Sequence, residues 1–342
     1  MKKLYIVLLC IAGIFMLLIG FVAGCFIDGK CNYKYENTND SLKSWMNYIK
    51  DDTIINEMII PGSHNACSYG MVYLGECQKF DMSKQLNLGC RYFDIRIENN
   101  DGKYTFFHDI IKGKEAEPIF PVIKKFLADN PSEFLVLDFQ KFKDGSDQKV
   151  VEFINTYLID IAISNTTDKS DLEFVDGLTL GSVRGKCIII FGDNSTYTSL
   201  PYILNRNGDS CSSKSTALNS MYDGSYNKLT SLEYIEKGLP VYIENIKNKK
   251  QTEGYKGLFV LQAQLTDGKK IFGPWSRERV HDENMSLYIS SLNTSADFEY
   301  INIIMRDFVN QSKMENIIRM NYYKYNFKDE CENTFMNVFK VA

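Results

Sequence analysis

Apolar residues in this chain fall into short dense runs separated by stretches with helical spacing. The runs "NEMIIP" (56–61), "CRYFDIRIE" (90–98), "KYTFFH" (103–108), "FLVLDF" (134–139), "CIIIF" (187–191), "GLFVLQAQL" (257–265) and "YINIIM" (300–305) have the length and the β-branched and aromatic content of strands. Between them, "EPIFPVIKKFLAD", "QKVVEFINTYLIDIA", "MSLYISSLN" and "MENIIRMNYY" space their apolar residues as helices do. Turn residues punctuate the pattern at "NNDG" (99–102) and at Asn130-Pro131. Runs such as "LVLDF", "CIIIF" and "INIIM" are apolar on both faces, as strands covered on both sides are. Strand and helix alternate over most of the chain, which predicts a parallel α/β domain, most simply a (β/α) barrel. A doubly wound sheet is the alternative, but no glycine-rich fingerprint supports it. Residues 195–255 show no clear period and are predicted to carry long loops.

The longest apolar run lies at the start. Lys2-Lys3 precedes Leu4 to Ile27, a stretch without charge. A helix of that length crosses a hydrocarbon core of ~30 Å. The expectation is a transmembrane anchor or signal segment at 1–27, a linker at 28–42, the barrel domain at 43–325 and a tail at 326–342. "VAGC" (22–25) adds lipidation at Cys25 as a third form of export. Lysines before the span keep the N-terminus cytoplasmic, so the folded domain is expected to be extracytoplasmic, membrane-anchored or secreted. "NTNDSLKSWMNYIKDD" (37–52) reads as linker followed by a short amphipathic helix.

Composition narrows the partners. A net charge of −4 offers no basic footprint for nucleic acid. The nine cysteines include no C-x-x-C zinc pattern, although an exported domain would permit disulfides.

The candidate chemistry sits at strand ends. His64 follows the first strand in "PGSHNACSYG"; Asp94 and Arg96 lie in the second; His108 closes the third; Asp138 and Gln140 lie in the fourth; Asp307 ends the last. In a barrel these ends meet on one rim. Two imidazoles, with unperturbed pKa values near ~6.5, can divide the roles of base and acid, and a guanidinium matches the oxygens of a phosphate. A carboxylate such as Asp307 would orient the base. The third histidine, His281, lies in the charged run "RERVHDE" and is read as part of a solvated helix start.

Taken together, "PGSHNACSYG", "LGCRYFDIRI", "YTFFHD", "FLADNPSEFLVLDFQKF", "GLFVLQAQLT" and "NIIMRDFV" resemble, in order, the X domain of the phosphatidylinositol-specific phospholipase C family, over roughly residues 43–325. The resemblance is to its small single-domain members and implies a distorted TIM barrel. It also implies attack of the inositol 2-hydroxyl on the adjacent phosphodiester of a membrane phospholipid. By that resemblance His64 is the general base, His108 the general acid, and Arg96 the cation on the phosphate. Asp307 orients His64, and Asp94 is the acidic partner of Arg96. Asn65 and Gln140 fall at substrate-facing positions where the calcium-dependent branch holds its metal. Arg96 occupies a position where that branch has a carboxylate, so neither metal nor other cofactor is expected. Two departures stand out: Asp109 follows His108 where the family has Gly, and Gln140 matches neither branch. They leave open a catalytically impaired barrel that binds lipid or a partner; a metal-dependent diesterase acting on another phosphodiester is a separate alternative.

Overall fold

The computed structural model describes residues 13–16, 40–144, 147–192, 200–206, 216–220, 230–252, 254–265, 273–324, 327 and 331–340. The anchor or signal segment expected at 1–27, and with it the lipidation site at Cys25, lies outside the described residues apart from a helical turn at 13–16. Among the described residues no helix is long and apolar enough to cross a membrane.

Eight parallel strands close into a barrel. They are β1 (Ile60–Ser63), β2 (Tyr92–Asn100), β5 (Leu135–Lys143), β6 (Cys187–Gly192), β7 (Leu204–Arg206), β8 (Leu218–Ser220), β9 (Leu258–Gln262) and β10 (Ile303–Arg306). The order runs β1-β10-β9-β8-β7-β6-β5-β2, and β2 pairs back onto β1. That last pairing leaves no free edge and decides against the doubly wound alternative.

Alternation along the strands sorts the core into two layers. Ile60, Tyr92, Val136, Ile188, Ile190, Leu204, Leu218, Leu258, Val260, Ile303 and Met305 come from all eight strands and form one buried cluster, the lower lumen. The intervening residues, among them Phe93, Ile95, Leu137, Ile189, Phe259, Leu261 and Ile304, pack outward against helices. The period of 2 explains both sets. Helix α1 (Ile119–Asp129) shows the matching helical rule, burying Ile119, Phe120, Ile123, Phe126 and Leu127 on one face. It stops where Asn130 leaves helical geometry ahead of Pro131. Gly62 is required by the packing: a Cβ there would lie 2.9 Å from the Tyr92 ring that fills the lumen.

Three features differ from the sequence reading. The run "KYTFFH" is β3 (Lys103–His108), but it is no barrel strand; it folds back antiparallel on the overhang of β2 and pairs with β4 (Ile111–Glu115). The tight "NNDG" turn allows only a hairpin there, since a parallel return needs a long crossover. Residues 195–255, read as loops, contribute β7, β8 and helix α2 (Leu239–Thr252). Two of those strands have only three residues each, too short to show a period. Within the segment read as a tail, helix α4 (Cys331–Phe339) buries Phe335 and Phe339 in the same cluster as Trp45 and Met46. Helix α3 (Pro274–Leu292) lies earlier in the chain and packs beside β10.

Candidate active site

Register places the functional residues. Ser63, the last residue of β1, pairs with both Phe93 and Arg306. The next residue in each case is His64, Asp94 and Asp307, so these three arrive at one level on the carboxyl rim. Asp94 is paired in turn with Asp138 on β5. A bulge between Ile95 and Arg96 shifts the β2–β5 register, and Arg96 stays on the side of Asp94, its guanidinium 3.4 Å from Asp94 Oδ2. His108 reaches this level by the antiparallel return of β3, since Ile97 of β2 faces Phe106.

His64 is buried, and its Nδ1 lies 2.7 Å from Asp307 Oδ1. A carboxylate only accepts, so Nδ1 carries the proton and Nε2 keeps its lone pair. The Asn65 side-chain amide donates to that lone pair at 3.1 Å, and Asp94 Oδ2 lies 3.8 Å away. Asn65 has a φ of 43°, and its backbone N–H donates to Asp94 Oδ2 at 3.1 Å. Cys77 joins the two histidines through the middle of the site. Its Sγ is 3.4 Å from Asn65 Nδ2 and 3.8 Å from His108 Nδ1. His108 Nδ1 faces the Gly75 carbonyl at 2.8 Å, so it too carries a proton, and Nε2 can donate only when the ring is charged.

Burial raises the Asp94 pKa, but Arg96, His64, the Asn65 amide and Arg206 together hold it below the usual carboxylate range. His108 is pushed down, first by burial and then by the Arg96 guanidinium. The Asp109 charge acts on it upward but is outweighed. Asp109 is exposed and has a φ of 54°, a conformation that glycine adopts without strain. Gln140 sits at the top of β5, and its buried Oε1 has no hydrogen-bond partner among the described residues.

Residues 52–192 match the family model described as phosphatidylinositol-specific phospholipase C, X domain. These residues are a phosphatidylinositol-specific phospholipase C X domain. The chain is 24% identical over 316 residues to the 1-phosphatidylinositol phosphodiesterase of Listeria monocytogenes, covering 87% of this chain and 92% of the relative. It is 24% identical over 259 residues to the Staphylococcus aureus enzyme of the same name, covering 70% and 82%. The fold is shared with the Listeria phosphatidylinositol-specific phospholipase C structure, with a TM-score of 0.62, 21% identity and coverage of 82% of this chain and 98% of that one. The matched stretch of the X domain contains His64, Asn65, Asp94, Arg96, His108 and Gln140. Asp307 lies beyond it, directly after β10, the strand that pairs with β1.

Several residues of the barrel escaped the sequence reading. Gln78 is fully buried and ties the ends of β1 and β10 together. Its amide donates to the His64 carbonyl at 2.8 Å and the Arg306 carbonyl at 3.1 Å, and its oxygen accepts from Val309 N–H at 3.0 Å. Lys313 donates to the carbonyls of Asp307 and Phe308, both at 3.0 Å, and pairs with Glu278. Arg306 joins the same buried group through Asp282 at 2.8 Å. His281 belongs to that region as well. It is fully buried in the middle of α3, with Nδ1 2.8 Å from Ser231 Oγ, so the solvated helix start expected for it is corrected. Burial and Arg306 push its pKa down to about 3. The charged run misled because only one face of α3 is buried. Level with Asp94, Asp138 meets Arg206 at 3.3 Å and the Tyr92 hydroxyl at 2.6 Å, and burial lifts its pKa to about 6. No sequence pattern marks Gln78 or Arg206. Both are single polar residues in short or irregular segments.

Proposed function

We propose that this chain is a phospholipase C-type phosphodiesterase that cleaves phosphatidylinositol-type lipids by histidine acid–base catalysis without a metal. The observation that carries it is the His64–Asp307 pair on the same rim as Arg96 and His108, in a chain whose relatives are named phosphatidylinositol phosphodiesterases. His64 Nε2 takes the proton of the attacking inositol hydroxyl, and the Asn65 amide that now meets Nε2 turns to the substrate. Asp307 holds the Nδ1 proton and stabilises the imidazolium as it forms. Arg96 faces the phosphate oxygens, where charge grows. Charged His108 delivers its Nε2 proton to the leaving glycerol oxygen, giving diacylglycerol and a cyclic inositol phosphate. Free His108 has a depressed pKa because burial and Arg96 both disfavour its cation. A bound phosphodiester anion offsets Arg96 and favours the charged ring, so substrate arms its own acid. The polar upper wall, with Asp138, Arg206 and Gln262, suits a polyhydroxylated head group.

The proposal extends to place. The uncharged run Leu4–Ile27 would hold or deliver the barrel outside the cytoplasm, beside its lipid.

The test is release of water-soluble inositol phosphate from phosphatidylinositol vesicles in excess chelator, with His64→Ala and His108→Ala alongside. Turnover by the unaltered protein and its loss in both folded variants is the expected result. Unchanged turnover in either variant overturns the acid–base assignment, and loss of turnover in chelator overturns metal independence. Vesicle binding without product would make the barrel a binding module.

A further inference from the structure

We propose that the rim also holds an inhibitory site for one thiophilic divalent cation, such as Zn²⁺ or Cd²⁺, with His64, Cys77 and Asp307 as its ligands. One donor atom from each residue lies within 4.8 Å of the others. A tetrahedral zinc ion with bonds of about 2.0–2.3 Å needs its ligands roughly 3.3–3.7 Å apart, so small side-chain rotations complete the set. Nitrogen, sulfur and oxygen are the donor types zinc accepts, and three protein ligands leave a fourth position for water or a phosphate oxygen.

Cys77 has no evident part in the proton transfers, yet its sulfur lies between the two histidines. Two further observations point to a ligand at this spot. Asn65 Oδ1 and Asp94 Oδ1 are buried without hydrogen-bond partners among the described residues, in side chains 4% and 1% exposed. Charge also closes. The ion brings two positive charges and Arg96 one; the Cys77 thiolate, Asp94 and Asp307 bring one negative charge each. The thiol proton leaves to solvent as the metal–sulfur bond forms. Calcium and magnesium are hard ions that need six or more oxygen ligands, so a sulfur-containing set discriminates against them. An ion seated here occupies the base histidine together with the carboxylate that orients it. It therefore stops turnover rather than assisting it.

The inhibitory half of this inference rests on the phosphodiesterase reading; the binding half does not. The experiment is calorimetric titration of the purified full chain with zinc chloride, paired with cobalt(II) titration in the near ultraviolet, where thiolate coordination gives a charge-transfer band. The unaltered protein is expected to show a cobalt–thiolate band and zinc binding that Cys77→Ser weakens by about tenfold or more. The band disappears in the variant, while calcium gives no signal in either protein. Asp307→Asn supplies an independent reading and weakens zinc in the same direction. A zinc affinity indifferent to Cys77→Ser, or no binding by the unaltered protein, overturns the site. Phosphatidylinositol turnover is expected to fall with added zinc and return with chelator, at a midpoint that Cys77→Ser moves up at least tenfold. Binding at Cys77 that leaves a measured turnover untouched overturns the inhibition alone. A protein with no turnover at all would sink the phosphodiesterase reading and leave the calorimetry and the cobalt band to judge the metal.

Discussion

Two arginines five positions apart, one just before β2 and one within it, show how differently a barrel uses buried charge. Arg91 sits at the foot of β2, fully buried, and its guanidinium is saturated. Nε meets Glu133 at 2.8 Å, and the terminal nitrogens reach the carbonyls of Leu86, Cys90, Leu42 and Lys43. Glu133 in turn accepts from Met46 N–H and Ser132 Oγ. Arg96 sits at the rim, and there the accounts stay open. Its Nε, Asp94 Oδ1 and Asn65 Oδ1 are buried and lack hydrogen-bond partners among the described residues. Unmet buried donors and acceptors are unfavourable and rare in native proteins. On the function proposed above, the partner they lack at the rim is the substrate. At the foot the ion pair fastens the 40–48 segment and the 130–133 turn to the barrel floor. On that reading the same residue types serve structure where every bond is made inside the chain, and chemistry where some are left for substrate.

That contrast is broken most sharply by emptying each centre in turn. His64→Ala is expected to lower head-group release by roughly 10²–10⁴-fold, the usual weight of a general base. Its stability should fall only by about 1–3 kcal/mol, the cost of leaving the Asp307 carboxylate without its imidazole partner. Arg91→Ala should do the reverse. It leaves Glu133 as an uncompensated buried charge, at a cost of about 3–5 kcal/mol. Denaturant unfolding would read that loss, while the folded fraction keeps its turnover per active molecule. A large stability loss in the first variant or a large loss of specific activity in the second would erase the distinction.

Gln78→Leu probes the zone between the two. It leaves the His64 and Arg306 carbonyls and the Val309 amide unmet, which should cost about 1–3 kcal/mol. The strand ends that carry His64 and Asp307 also lose their tie. Kcat is expected to fall by about 10–100-fold with a smaller change in KM, because misplaced catalytic groups slow the chemical step more than binding. Equal changes in both constants would mark Gln78 as structural only.

How much of this was legible in the sequence follows from length and period. Runs such as "FLVLDF" and "CIIIF" announced buried parallel strands, and the rim residues at their ends followed. The three-residue strands β7 and β8 could not announce themselves, and Arg206 was lost with them. His108 was placed at the rim for an incomplete reason: the chain gets it there by a hairpin, not by a parallel strand. The foot cluster and the Gln78 tie join residues dozens to hundreds of positions apart through single side chains. No local pattern encodes such bonds. His281 shows the opposite error, in which a charged neighbourhood hid a buried ring.

The smallest effect is also the most specific. Asp109 is exposed beside His108, and its charge acts on that ring upward, against burial and Arg96. Removing the carboxylate in Asp109→Gly takes away a partner of the imidazolium, so the depressed His108 pKa falls further. The acid form is then lost at a lower pH, and the alkaline limb of kcat/KM should move down the pH scale. The limb reports the free protein, where no substrate phosphate offsets Arg96. The fold should tolerate the change, because glycine accepts a φ of 54° more readily than aspartate does. Arg96→Gln provides the mirror image. Loss of the cation lets His108 hold its proton longer, so whatever activity survives should have its alkaline limb moved up. Limbs that move the same way in both variants would mean that a group other than His108 delivers the proton, and the rim would need a different acid.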